Sequence, residues 1–88
     1  MLIRSQNKEV LIVFESLLDV EASGGVISAR RDMGWCCLLG EYSTKAKAMK
    51  VLDMIQKRYE EYETERIYKE GVFKIETFQI PEDSEVVV

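Results

Sequence analysis

Histidine is absent from the chain, which removes the side chain most used as a general base and as a metal ligand. Cysteine occurs twice, as the neighbours Cys36 and Cys37. Successive strand residues point to opposite faces, so a disulfide between these two would be badly strained, and reduced thiols are the natural reading. Without histidine or further cysteines the pair makes no zinc site. No apolar run approaches the roughly 18 residues of a membrane span. The opening MLIRSQNKEV lacks the apolar region and small-residue cleavage site of a signal peptide. Ser23-Gly24-Gly25 lacks the nucleophile-elbow pattern, and no Gly-rich phosphate loop occurs. These absences exclude the commonest catalytic constellations. The expectation is a non-enzymatic protein of the cytoplasm that spans no membrane and uses no metal or cofactor.

The 88 residues make one small domain, 1–88, whose 47% hydrophobic and 32% charged content fits a folded chain. The net charge of −4 is unevenly spread. Residues 45–58 carry five bases and one acid, whereas residues 59–88 carry three bases and nine acids. A duplex nucleic-acid binder should be basic overall, with aromatics among its bases, and this chain is neither. An acidic segment instead suits a basic surface on another protein.

The strongest periodic signal runs from Thr44 to about Arg66. Ala48, Leu52, Ile55, Tyr59 and Tyr62 recur every three or four residues, with Val51 on their flank, which predicts a long helix laid against a flat apolar surface. Ser43 or Thr44 can cap its start, and Gly71 suits the residue that follows its end. The charges of this helix run against its dipole. Lys45, Lys47 and Lys50 crowd the start, while Glu60, Glu61, Glu63 and Glu65 sit toward the other end, each misplaced charge costing about 0.3–1 kcal/mol.

Before the helix, Leu2–Arg4 and Val10–Phe14 read as strands around a polar turn. Leu17–Ala22 and Val26–Arg30 are joined by Ser23-Gly24-Gly25, a hairpin signal. Leu17 and Leu18 break the alternation, which predicts a bulge or short helical turn near Glu15-Ser16. Arg31-Asp32-Met33-Gly34 fits a type I turn. Trp35–Leu39, apolar on both faces, reads as a central strand. After the helix, Val72–Ile80 reads as a strand stopped by Pro81, Glu82–Glu85 as a solvated loop, and Val86–Val88 as a paired edge. The expected fold is α+β: a twisted antiparallel sheet of four or five strands, covered on one face by one long amphipathic helix. A helix nearly as long as the domain is wide, with Met54 off its buried stripe, points to self-association, a dimer being favoured.

Two candidate surfaces follow. Arg30 and Arg31 at one strand end, with Lys45, Lys47 and Lys50 at the helix start, form a candidate anion site. The strand between them is about 25 Å long, so a shared pocket would need a second chain. Trp35, Met54, Glu60, Glu61, Glu63 and Glu65 form a candidate partner-binding surface.

The stretches MLIRSQNK (1–8), LGEYSTKAKAMKVLDMIQ (39–56) and FQIPEDSEV (78–86) together resemble a group of short uncharacterised proteins encoded by phages and mobile elements of Firmicutes. The resemblance implies a bacterial cytoplasm and an accessory role, with no catalytic residue to carry over. Small phage proteins of this kind often bind host proteins or host signalling molecules, including those of antiviral defence. Three expectations follow: a host-protein binder that blocks a defence component, a protein that sequesters a nucleotide or phosphorylated signal at the basic helix start, or an oligomeric structural module without a ligand.

Overall fold

The computed structural model describes residues 1–32, 34–68 and 76–88, with side chains left aside at 66–68. In chain order the elements are β1 (Leu2–Arg4), β2 (Leu11–Val13), a 3-10 turn (Phe14–Ser16), β3 (Asp19–Ser23), β4 (Val26–Asp32), β5 (Trp35–Glu41), α1 (Lys45–Tyr68), β6 (Thr77–Gln79) and a second 3-10 turn (Asp83–Glu85). The α+β class expected from the sequence is what the chain forms. Its strands, however, divide into two three-stranded sheets, ordered β2-β1-β6 and β3-β4-β5, rather than one sheet of four or five. Nor are they all antiparallel, because β6 runs parallel to β1, with Ile3 opposite Phe78. β1 and β6 are far apart in the chain, and periodicity alone does not reveal such a parallel pairing.

The antiparallel meander β3-β4-β5 follows from its turns and alternation. Ser23 pairs with Val26 across a two-residue loop, and Gly24 takes the positive φ of 59° that the first position of a type II′ turn demands. Ile27 and Ala29 of β4 and Leu39 of β5 are fully buried. Trp35–Glu41 is not a strand covered on both faces, as its composition suggested. It is the outer member of its sheet, and Cys36 and Leu38 face outward, Leu38 being 52% exposed. Cys36 and Cys37 point to opposite faces as free thiols, and burial pushes the Cys37 thiol up.

One core serves both sheets and the helix. Ala48, Val51 and Ile55 of α1 are buried with Ile3, Phe78 and Ile80 on one side and Ile27, Ala29 and Leu39 on the other. Leu52, Tyr59 and Tyr62 pack partly buried against that core, so the deepest line of the helix passes through Val51 rather than Leu52. Beyond Arg4, the chain also ties the sheets together directly. The Gln6 backbone N–H donates to Leu39 O at 2.7 Å. Its side-chain amide then imitates one more strand residue, Oε1 accepting from Glu41 N and Nε2 donating to Glu41 O, both at 3.0 Å.

The C-terminal stretch is pinned rather than solvated. Its 3-10 turn carries a capping box between Glu82 and Glu85. Val86 is 5% exposed and belongs to the core, whereas Val87 and Val88 are open and lie in no strand. The expected turn through Met33, the helix stop at Gly71 and the first four residues of the strand Val72–Ile80 fall outside the described residues. Among the described residues no helix is long and apolar enough to cross a membrane.

The hairpin sits tightly on the start of the helix. A Cβ on Gly25 would lie 2.3 Å from Tyr42 O, whose own N–H donates to Gly25 O at 2.7 Å. Gly25→Ala should therefore lower stability by about 2 kcal/mol or more. Gly34→Ala, whose Cβ meets open space, should change it by less than about 0.5 kcal/mol. Urea denaturation of the two variants checks the contrast.

Candidate partner-docking site

Thr44 is the residue that caps α1, its Oγ1 accepting from Lys47 N at 3.1 Å. No acid stands in the first turn. Asp83, forty residues later, supplies one. Its Oδ1 accepts from Ser43 N at 2.7 Å, and its Oδ2 accepts from Ser43 Oγ and from Lys47 Nζ, each at 3.2 Å. Lys47 also donates to Asp83 O at 3.1 Å. The backbone and side chain of Ser43, together with Lys47, hold the Asp83 carboxyl below its ordinary value. Beside it, Tyr42 OH donates to Pro81 O at 2.5 Å. Burial, aided by the negative charges of Asp83 and Glu85, pushes this phenol up to about 12. Of the three lysines expected to form an anion site, Lys47 is thus half-buried and paired, while Lys45 and Lys50 are exposed.

The two arginines are engaged elsewhere. Arg30 Nε donates to both Asp19 oxygens at 3.1 Å, and the guanidinium of Arg31 lies 4.8 Å from the Trp35 ring centre, a cation–π stack. Trp35 itself is half-buried. Arg30 stands opposite Cys36, whereas Glu41, next to the helix start, stands opposite Val26. Arginines and lysines therefore lie toward opposite ends of β4 and β5, and the structure does not bring them together.

A different surface is assembled along the flank of α1. Leu52, Gln56, Tyr59 and Glu60 line one wall of an open groove of about 420 Å³. The facing wall is Phe14 with Leu17–Val20. The irregular Leu17-Leu18 pair makes this wall. The 3-10 turn before it, closed by Leu17 N donating to Phe14 O at 3.1 Å and by Ser16 Oγ donating to Val13 O at 2.7 Å, lifts the chain off β2. Leu18 N then joins β4 by donating to Arg30 O at 2.7 Å. The Phe14 and Tyr59 rings meet at 4.6 Å, tilted 41°, and close the groove floor. Leu18 stands at the lip, 70% exposed.

The charged residues lining the groove, Asp19 and Glu60, are both acidic. Asp19 is neutralised by Arg30, and Glu60 accepts from the Gln56 amide at 3.1 Å. Glu60 and Glu61 are exposed, Glu63 and Glu65 half-buried, and Met54 is 37% exposed on the opposite flank. Of the acidic residues expected to meet a partner, Glu60 lines the groove, whereas Glu61 and Glu65 line a separate depression with Lys57 and Thr64, and Trp35 lies at the far end of β5. Phe14, Leu17 and Leu18 were missed as site residues. Their signal was the broken alternation, read only as an irregularity of structure. Among the described residues no group of three or more Cys, Asp or Glu side chains could hold a metal ion.

No family model matches the chain, and neither a curated protein nor a solved structure matches it.

Two outcomes test the helix start. Because the Asp83 carboxyl is depressed, its ionised form stabilises the fold at neutral pH, and that contribution disappears as pH falls below the ordinary aspartate value near 4. Wild type should therefore exceed Asp83→Asn in urea midpoint at pH 7, and the gap should close in acid. For Tyr42 the sign is reversed. The neutral phenol contributes stability that is complete below pH 10 and fades as pH rises toward 12. Ultraviolet titration should show one tyrosine ionising last, absent in Tyr42→Phe.

Proposed function

We propose that this protein is a non-enzymatic binding module that docks a host protein through the groove between α1 and Phe14–Val20 and the acidic half of α1 beside it. The observation that carries this reading is the groove itself: an apolar floor, an exposed leucine at its lip, and Glu60 on its rim. The C-terminal half of a helix adds partial negative charge of its own. A partner segment with one or two apolar anchors followed by Lys or Arg fits that gradient, the anchors giving affinity and the bases orientation. The resemblance to phage and mobile-element proteins suits a partner in a bacterial host, with a component of antiviral defence as the class that context brings forward.

Nucleotide sequestration at the helix start has less to support it. An incoming phosphate would have to displace Asp83 from Ser43 and Lys47, and the two arginines are already engaged.

The test is a comparative capture from host lysate. Leu18 is 70% exposed, so Leu18→Asp should leave the fold within about 0.5 kcal/mol of wild type while placing a charge at the groove mouth. A specific partner should be retained by wild type and by Lys45→Glu, and should be lost with Leu18→Asp and weakened by salt. Capture of the same proteins by wild type and Leu18→Asp would sink the reading.

A further inference from the structure

The side of α1 opposite Val51 and Ile55 carries a second stripe: Ala46, Lys50, Asp53, Lys57, Glu61 and Thr64, all exposed and recurring every three or four residues. Lys50, Asp53, Lys57 and Glu61 form no ion pair among the described residues. Along the stripe the signs alternate, while the helix as a whole opens on Lys45, Lys47 and Lys50 and carries Glu60, Glu61, Glu63 and Glu65 toward its end, so its terminal charges add to the dipole instead of opposing it. Asp83 offsets this at Lys47 alone. For an isolated helix the arrangement is unfavourable. For two such helices side by side and antiparallel it is complementary, both in side-chain charge and in dipole.

The register is specific. With the two-fold axis near Ile55, Lys50 of one copy falls against Glu61 of the other and Asp53 against Lys57, every contact occurring twice by symmetry. Ala46 falls against Thr64, and two small side chains at each end let the backbones approach. The surface is shaped to match. A shallow depression of about 420 Å³ lined by Lys57, Glu60, Glu61, Thr64 and Glu65 lies where Lys50 of the second copy arrives. Its lining carries one base and three acids, and so attracts a cation. Met54, 37% exposed near the axis, supplies apolar area and can pack along the aliphatic stem of Lys57.

We infer that α1 pairs antiparallel with α1 of a second copy through this outer stripe, forming a weak, salt-sensitive homodimer. The pairing uses the face of the helix away from the core, whereas the apolar groove lies on the Leu52–Tyr59 flank, and the two surfaces meet at Glu60, which lines both.

Sedimentation across a concentration series tests it, with wild type, Lys50→Glu, Glu61→Lys and an equal mixture of the two variants. Wild type should dimerise, and the dimer should weaken when salt rises from about 0.05 M to about 0.5 M. Each single variant sets like charges together at two symmetric positions and should raise the dimer dissociation constant about tenfold or more. The mixture should recover association as a heterodimer, because the acid introduced in one chain then faces the base introduced in the other. Lys50→Glu places an acid nearer the positive end of α1 and should not unfold the monomer, which circular dichroism checks. A wild type monomeric up to about 1 mM, a concentration above the dissociation constants of even feeble complexes, would overturn the inference. So would a dimer indifferent to both substitutions and to salt, since it would be built elsewhere.

Discussion

What makes one body of the two three-stranded sheets is the burial of Ala48, Val51 and Ile55 between them. Small sheets need a second layer to cover their hydrophobic face. Here a single helix supplies that layer for both, and each sheet contributes its own fully buried residues, Ile3 and Ile80 on one side, Ile27 and Leu39 on the other. The position of every surface feature follows. The groove exists because the chain leaves β2 through a 3-10 turn before it can join β4. The outer stripe of α1 is free because the inner one is fully occupied.

The helix start shows how a local cost is met from a distance. A first turn with lysines and no acid is poorly matched to its dipole, yet Asp83 reaches it from the other end of the chain and satisfies both Ser43 and Lys47. Tyr42 and Gln6 complete the junction by holding Pro81. A basic helix start that looks like an anion site is therefore already provided with an anion. At the far end of the same strands, Arg30 and Arg31 are likewise matched by Asp19 and by the Trp35 ring.

Much of the fold was legible in local patterns. The helix, the Gly24-Gly25 hairpin and the 3-10 turn near Glu15 all arise from short-range spacing, and each is where that spacing puts it. What was not legible depends on long-range pairing. Nothing in residues 77–79 says that they lie parallel to β1, and nothing in Trp35–Leu39 distinguishes a strand buried on both faces from one that exposes Cys36 and Leu38. The acids of α1 were visible as a surface, but the groove beside them required Phe14 and Leu18 to be brought next to Tyr59 from forty residues away, which no single-sequence pattern encodes.

The tie between Asp83 and Ser43 also has a bearing on how the molecule comes to be. Until Asp83 and Val86 dock, α1 carries an uncompensated cationic tip and an incomplete core. Closure waits on residues 83–86, because contacts far apart in sequence are slow to form. Loss of residues 83–86 would then weaken folding more than it alters any surface.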